Sequence, residues 1–224
     1  MKSFGDTAGS GTKDKLPQYE YKNGDHRIRL IGGVLPRYIY WVNNPNTGKD
    51  MPVECLGFDR DQEQFTNLEK DWVREYFPKE KCTWAYAMLC LDLNGSEPEV
   101  KVLNLKRKLF EQVKTLAAED LGDPTDPEAG WDVYFKREKT GPHAFNVEYT
   151  VQQLKCGKAV RPLTDKEREL VEKAPEIDAV LPRVSPEKQK EFLDRILNPS
   201  DGEKPETEVT KEFDGEEAPS DLPS

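Results

Sequence analysis

Residues 83–93 read TWAYAMLCLDL, and large and small side chains alternate along the whole stretch. In an extended strand, successive side chains point to opposite faces. One face carries Ala85, Ala87, Leu89, Leu91 and Leu93, and the other carries Trp84, Tyr86, Met88, Cys90 and Asp92. Because both faces are largely apolar, the pattern predicts a central β-strand that is covered on both sides.

Shorter stretches with strand character surround this one. They are residues 26–30, 37–42, 51–58, 99–105, 131–138 and 144–153. Helical spacing of apolar residues predicts helices over 60–77 and 107–121, the second ending at Gly122. Thr164 with Glu167, and Ser185 with Pro186, are typical helix starts and predict two C-terminal helices. Strands and helices do not alternate, so we predict a mainly β fold, an OB-type antiparallel β-barrel with inserted and C-terminal helices.

The composition divides the chain into parts. Hydrophobic residues make up 35% and charged residues 34%, which is too polar for a packed globule of 224 residues. All the aromatic side chains except Phe192 and Phe213 precede residue 150. We therefore expect a flexible N-terminal arm, an OB-fold domain, a helical extension and a disordered acidic tail. Their predicted bounds are 1–16, 17–160, 161–200 and 201–224.

Several function classes find little support in the sequence. No apolar run is long enough to cross a bilayer, so we expect a soluble intracellular protein without membrane contact. The four cysteines are widely spaced and there are only two histidines, so we expect no zinc site, no other metal and no cofactor. No nucleophile or phosphate-binding motif is present, which favours a non-enzymatic role.

The net charge of −10 is unevenly distributed. Residues 201–224 contain nine acidic and two basic side chains, so they account for seven of the ten net negative charges. The remaining chain is close to neutral and can carry a locally basic surface. The tail can act as a solubilising segment, or as a flexible polyanion that competes with DNA or binds other proteins.

Rings and cations occur together on the predicted strands. Binding an unpaired nucleic-acid strand requires cations along the phosphates and flat rings for the bases. The stacking candidates are Tyr38, Tyr40, Trp41, Trp84 and Tyr86. The phosphate-contact candidates are Arg27, Arg29, Arg37, Lys106, Arg107, Lys136 and Arg137. Trp41 lies on the face opposite to Tyr38 and Tyr40, and we favour the two tyrosines.

Each of these features also has a structural interpretation. Tyr38 and Tyr40 fit an ordinary half-buried sheet face, and the basic run 106–108 fits a solvated helix start. One alternative is a protein-interaction module that presents the acidic tail. A second is a metal-dependent nuclease that uses Asp59, Asp61 and Asp92. The combination of rings and cations favours single-stranded DNA, with weak sequence preference because every base can stack.

Two motifs resemble a known family. Residues 123–133 read DPTDPEAGWDV, and they are followed by KTGP at 139–142 and FNVEYTV at 145–151. These segments, with the strand at 27–30 and the helix start at 106–110, resemble tailed-phage single-stranded DNA-binding (helix-destabilising) proteins over about residues 20–155. The resemblance implies an OB-fold and non-specific binding during phage DNA replication, recombination and repair. It also implies an acidic tail that contacts replication or recombination proteins, in the cytoplasm of the infected bacterial host.

Overall fold

The computed structural model describes residues 16–143 and 146–198. The strands in this part are β1 (Gly24–Leu35), β2 (Tyr38–Asn43), β3 (Asp50–Glu54), β4 (Phe58–Asp59), β5 (Gln64–Phe65), β6 (Thr83–Trp84), β7 (Ala87–Asp92), β8 (Glu99–Asn104), β9 (Val133–Lys139) and β10 (Val147–Val151). The helices are α1 (Trp72–Tyr76), α2 (Arg107–Leu116), α3 (Gln153–Gly157), α4 (Asp165–Lys173), α5 (Ile177–Val180) and α6 (Pro186–Leu197). Residues 1–15 of the predicted arm and the whole predicted tail, 201–224, lie outside the described residues.

A five-stranded antiparallel sheet forms the centre of the fold, in the order β10-β9-β1-β7-β8. The predicted alternation in residues 83–93 is confirmed. Met88 and Cys90 belong to an apolar core with α2 on one face, while Leu89 and Leu91 belong to a second core on the other face. The second core contains Leu163 and Ile177, which flank and begin the helices α4 and α5. Both faces of the sheet are therefore covered by helices.

A smaller sheet, in the order β3-β2-β6, continues from the first. Two residues separate β1 from β2, and two residues separate β6 from β7. The chain bends at both of these short connections, where the two sheets meet. The Ala85 amide donates to the Arg37 carbonyl, and the Arg37 side chain donates to the Ala85 carbonyl, so the pairing continues through the bend. The bend also contains a register shift between Ile31 and Leu35. The β6–β7 segment therefore lies at the junction of the two sheets.

The described residues form a mainly β fold without a closed barrel. No strand pairing joins β8 to β10 within the described ranges, so the five-stranded sheet has two edges. The β8 edge is partly covered by the segment at Pro17–Tyr19, which bonds to Val102. At the β10 edge, the Gln112 side chain donates to the Tyr149 carbonyl and accepts from the Val151 amide. Such coverage satisfies edge groups that would otherwise be open to other strands.

The predicted helix over residues 60–77 is wrong, because only Trp72–Tyr76 is helical. The Asp59 carboxylate accepts from the amides of Asp61 and Gln62 and closes a turn instead. Glu63 has a φ of 50°, a left-handed conformation that a helix cannot contain. Strands β4 and β5 then pair Phe58 with Phe65. The helical spacing arose because two separate elements face one apolar core.

Other helix predictions are confirmed. Helix α2 begins at Arg107, continues as a π-helical turn through Leu121 and ends at Gly122, whose φ is 72°. Thr164 and Glu167 form the predicted capping box of α4. The side chain of Ser185 caps α6, and Pro186 occupies its first turn.

Candidate nucleic-acid interface

Three aromatic rings lie close together at the junction of the two sheets, and we call Trp84, Tyr86 and Phe110 the ring row. The rings of Trp84 and Tyr86 are stacked, with centroids 4.6 Å apart and planes 19° apart. The centroids of Trp84 and Phe110 are 6.3 Å apart. All three side chains are half-buried, so part of each ring is open to solvent. The row has the residue types on which unpaired bases stack.

Strand alternation explains the positions of Trp84 and Tyr86. Trp84 and Tyr86 share the face of Met88 and Cys90, but helix α2 covers only the latter pair completely. The two rings pack against both the α2 core and the core of the smaller sheet, so they occupy the gap between them. Phe110 comes from α2 itself and forms one side of that gap.

Cationic side chains lie beside the ring row. Arg107 is 41% exposed and pairs with Glu111 at 3.1 Å, and the Lys114 ammonium is 5.7 Å from the Phe110 centroid. Burial raises the pKa of Tyr86, the hydrogen bond that its hydroxyl donates to Glu63 raises it further, and the charge of Arg107 opposes the rise. Arg107 is therefore close enough to the ring row to act on its electrostatics.

Two further predicted cations extend this surface along the same face. The Lys106 ammonium lies 5.2 Å from the Tyr21 ring centroid, and the Tyr21 ring contacts Tyr149 at 5.5 Å. Arg137 donates from Nε to the Tyr149 hydroxyl at 3.3 Å. The pair of tyrosines thus places Lys106 and Arg137 near each other. Together with Arg107 they give cations over the face that carries the ring row.

An apolar cavity of about 270 Å³ lies on the other side of Phe110. Leu30, Met88 and Val113 are among the residues that line it, and Lys114 and Pro124 lie at its border. Phe110 therefore lines this cavity and also belongs to the ring row.

The structure places Tyr38 and Tyr40 differently from the sequence analysis. Tyr38 is 8% exposed and packs against Phe58 and Phe65. Tyr40 is 2% exposed, and its hydroxyl donates to the Asp71 carboxylate at 3.1 Å. Burial raises the pKa of both hydroxyls. The preference for these tyrosines as stacking rings is therefore corrected, because they are part of the core of the smaller sheet.

Trp41 and Arg37 belong to the other face of β2. Trp41 is half-buried opposite Pro52 of β3, away from the ring row. Arg37 donates from Nε to the Ala85 carbonyl and from Nη2 to the Asn104 side chain. Burial lowers its pKa to about 10, so it remains charged at neutral pH. Its guanidinium holds the bend between the sheets, which is a structural role rather than the predicted phosphate contact.

Arg29 is fully buried, so its predicted contact with phosphate is also corrected. Its guanidinium donates to the carbonyls of Asp126 and Arg161 and to the buried carboxylate of Asp132. Arg161 also pairs with Asp132 at 3.2 Å. Arg29 therefore anchors the loop at residues 123–132 to the sheet.

Two neighbouring residues explain why this loop has its sequence. A Cβ atom at Gly130 would lie 2.4 Å from the Asp126 carbonyl oxygen and 2.7 Å from the Arg29 side chain. Only glycine fits such a close approach. Trp131 is fully buried, and its indole donates to the Gly122 carbonyl at 3.0 Å. The motif that carries the family resemblance is thus a packing motif.

The last two predicted phosphate contacts lie on the opposite face of the five-stranded sheet. Arg27 pairs with Asp132 at 2.7 Å and is 40% exposed. Lys136 pairs with Glu138 at 2.6 Å and lies between Phe135 and Arg137, whose side chains point to the ring-row face. Of the predicted site residues, Trp84, Tyr86, Lys106 and Arg107 lie near the junction of the two sheets, while Arg137 lies on the same face but pairs with Gly24 at the other end of β1.

Sequence reasoning missed Phe110 and Lys114. Phe110 belongs to the apolar stripe of α2, so its spacing indicates a core residue. Lys114 follows it by four residues and therefore lies on the same side of the helix. That Lys–Phe spacing beside the basic run 106–108 is the one signal that points to this side of α2 as a binding surface.

Metal sites and membrane spans were also sought in the described ranges. No group of three or more His, Cys, Asp or Glu side chains is placed there to share a metal ion. Cys55, Cys82, Cys90 and Cys156 are buried free thiols. No helix of residues 16–143 and 146–198 has the length and apolarity that crossing a membrane requires.

The antiparallel sheets and the ring row define a mainly β protein with rings and cations on one surface. Comparison of the sequence finds 34% identity over 166 residues with the "Probable ssDNA-binding protein" of Escherichia phage T5, a match that covers 68% of this chain. The chain belongs to the family of this phage protein. It spans about 60% of the length of that relative. No family model matches the chain.

Proposed function

We propose that this protein binds single-stranded DNA without chemically changing it, and that the ring row is the main contact for the bases. The observation that carries the proposal is the stacked pair of Trp84 and Tyr86, open to solvent next to Arg107. Stacking on aromatic rings contributes about 1–3 kcal/mol per base and tolerates every base type. The name of the phage T5 relative supports the same ligand.

The cations give the binding its salt dependence. Arg107, Lys106, Lys114 and Arg137 replace counterions along the phosphates, so affinity should fall steeply as salt rises. Stacking on aromatic rings tolerates every base type. We therefore expect weak sequence preference.

A fluorescence titration tests the proposal. Oligothymidylate is added to the full chain at two salt concentrations, with and without magnesium, while tryptophan emission is recorded. We expect emission to be quenched as Trp84 stacks on a base, and Trp84→Ala to weaken binding by about 5- to 100-fold. Trp41→Ala is the matched control, because Trp41 lies on the other face of β2, and it should bind as the unaltered chain does.

Other outcomes of this titration would contradict the proposal. Unchanged emission and no binding at low salt would favour a module that only presents the acidic tail. Shortening of the oligonucleotide in magnesium would favour a nuclease.

The finer assignments follow from the family resemblance. We propose that the protein acts in the cytoplasm of an infected bacterial host, in phage DNA replication, recombination and repair. The bent strand pairs β1–β2 and β6–β7 support an OB-type arrangement, and a crystal structure with bound oligonucleotide tests whether a barrel closes.

The acidic segment at 201–224 is proposed to compete with DNA for the cations and to contact replication or recombination proteins. It carries nine acidic side chains and two basic ones. A chain that ends at residue 200 should bind oligothymidylate more tightly at low salt, and the difference should shrink at high salt because charge interactions are screened. Equal affinity of both chains at low salt would remove the competition, although not the partner role.

A further inference from the structure

Tyr134 forms an aromatic surface of its own, on the face of the five-stranded sheet opposite to the ring row. Its neighbours Val133 and Phe135 belong to the α2 core, which Tyr134 also contacts at its margin, and alternation along β9 directs the Tyr134 side chain to the other face. Register places it beside Arg27 of β1. The side chain is half-buried, so the ring is only partly covered.

Two cations approach this one ring. The Arg27 guanidinium carbon is 5.6 Å from the Tyr134 centroid, and the Lys155 ammonium is 5.9 Å from it. Lys155 is 53% exposed, and its ion pair with Asp25 is long at 3.8 Å. Lys136, two residues along the same face of β9, adds a third cation with partial exposure. The exposed carboxylates of this face are Asp25, Glu138 and Glu148, which lies opposite Glu138 on β10.

The guanidinium of Arg27 is held in place by Asp132. The buried carboxylate of Asp132 accepts from its Nε at 3.0 Å and from its Nη2 at 2.7 Å. A guanidinium oriented by two such bonds loses little conformational freedom when it also binds a phosphate. The backbone also positions Tyr134, whose amide bonds to Cys156 and whose carbonyl accepts from Gln152. Ring and cation are thus both preorganised.

We infer that Tyr134, with Arg27 and Lys155, is a second contact for the same single strand of DNA, used when the strand is long enough to pass round the edge of the sheet. This inference rests on the proposed function, since the ring row is the first contact. A half-open ring supplies a stacking surface, and Arg27, Lys136 and Lys155 supply charges for the phosphates on either side.

Trp72 offers a comparison within the same chain. Its ring also lies near two lysines, with Lys70 at 4.9 Å and Lys190 at 5.4 Å. However, its cleft is lined by three carboxylates, those of Glu187, Glu191 and Asp194. Lys70 and Lys190 pair with Glu75 and Asp194, so two lysines are outnumbered by four carboxylates around this ring. Phosphates would be repelled there, so Trp72 serves as the control for a ring near cations that does not bind DNA.

The experiment compares two oligothymidylates, one of about eight nucleotides and one of about 30, since OB-type sites cover about 4–16 nucleotides. Tyr134→Leu should lower affinity for the long oligonucleotide by about five- to tenfold and leave the short one unchanged. Tyr134→Phe keeps the ring and should restore binding. Lys155→Gln should reduce the salt slope for the long oligonucleotide by about one.

The variants separate failure of this inference from failure of the proposed function. Full affinity of Tyr134→Leu for the long oligonucleotide, with weaker binding of both lengths by Trp84→Ala, would overturn the second contact and leave the ring row intact. Equal loss at both lengths for Tyr134→Leu would also overturn it. Trp72→Leu should bind both lengths normally. If the unaltered chain bound neither oligonucleotide, the proposed function would fail as well.

Discussion

The ring row and the loop at residues 123–132 contain the same kinds of residue and use them differently. Trp131 of the loop and Arg29 of β1, which anchors the loop, are fully buried, and the Arg29 guanidinium donates to Asp132 and to backbone carbonyls. In the ring row, Trp84 is half-open and Arg107 is 41% exposed. Residue type therefore does not separate a binding site from a packing motif, whereas burial and the partners of each cation do.

This comparison also explains what the family resemblance detects. The loop is specific because Gly130, Trp131 and Asp132 each have little freedom to change. A packing motif of this kind identifies the fold of a family with high specificity. The surface that would contact DNA has looser requirements, since any suitable ring can stack with a base.

The largest effect is expected from removing the carboxylate of Asp132. It joins Arg27, Arg29 and Arg161, and with Glu167, which pairs with Arg161, we call these side chains the loop network. Asp132→Ala leaves Arg27, Arg29 and Arg161 without their shared partner, and loss of a buried partner of this kind costs about 3–5 kcal/mol. Urea unfolding measures the loss. Asp178→Ala is the control, because that carboxylate is 72% exposed in its pair with Arg60. Equal unfolding midpoints for Asp132→Ala and the unaltered chain would show that the network contributes nothing.

A smaller loss is expected from a single methyl group in the same loop. Gly130→Ala puts a Cβ 2.4 Å from the Asp126 carbonyl oxygen, and overpacking of this kind costs about 1–3 kcal/mol. At Gly33 a Cβ meets no atom within 4 Å, so Gly33→Ala should leave thermal stability nearly unchanged. Similar melting temperatures for the two variants would contradict the close packing of the loop.

The loop network also predicts a pH dependence. Burial alone would raise the pKa of Glu167, but hydrogen bonds from Arg161 and Thr164 outweigh it and hold the pKa at about 2, below the ordinary 4.5. Because the folded pKa is the lower one, the stabilisation is complete above pH 4.5 and is lost as pH falls towards 2.

Glu167→Gln removes this titration. Its unfolding free energy should therefore fall less than that of the unaltered chain over the same pH range, by about 2 kcal/mol. Urea unfolding at a series of pH values measures the difference. Parallel profiles for the two chains would contradict the assigned pKa.

The smallest effect is expected at the edge of the ring row. Arg107→Gln removes one exposed cation, so the slope of log affinity against log salt should become shallower by about one, with little change in stability. Lys173→Gln, on the exposed side of α4, should leave the slope unchanged. If Arg107→Gln keeps the full slope, Arg107 is not a phosphate contact.

Local patterns in the sequence predicted the elements that depend on local interactions. The two faces of residues 83–93, the end of α2 at Gly122 and the capping box at Thr164 all depend on neighbours within a few residues. Each is present in the structure. The helix at 60–77 failed because two elements that face one core can imitate helical spacing.

The site was harder to predict because burial depends on distant parts of the chain. Alternation shows that Tyr38 and Tyr40 share a face, but not that Phe58, Phe65 and Leu193 cover it. Likewise, Arg27 and Arg29 share one strand face, so the sequence presents them as equivalent cations. The loop about 100 residues later nevertheless buries only Arg29 completely. Trp84 and Tyr86 were predicted because they belong to the clearly alternating stretch at 83–93. Phe110 was missed because its helical spacing indicates a core residue.

Photocrosslinking to single-stranded DNA tests the central claim most directly. Oligonucleotides that carry iododeoxyuridine are irradiated with the full chain, and the modified residues are located by mass spectrometry. We expect adducts on Trp84, Tyr86 or Phe110, and loss of the Trp84 adduct when unlabelled oligothymidylate competes. Adducts confined to Trp41 or Trp72, with all three rings of the row unmodified, would contradict the assignment of the ring row as the surface that holds the bases.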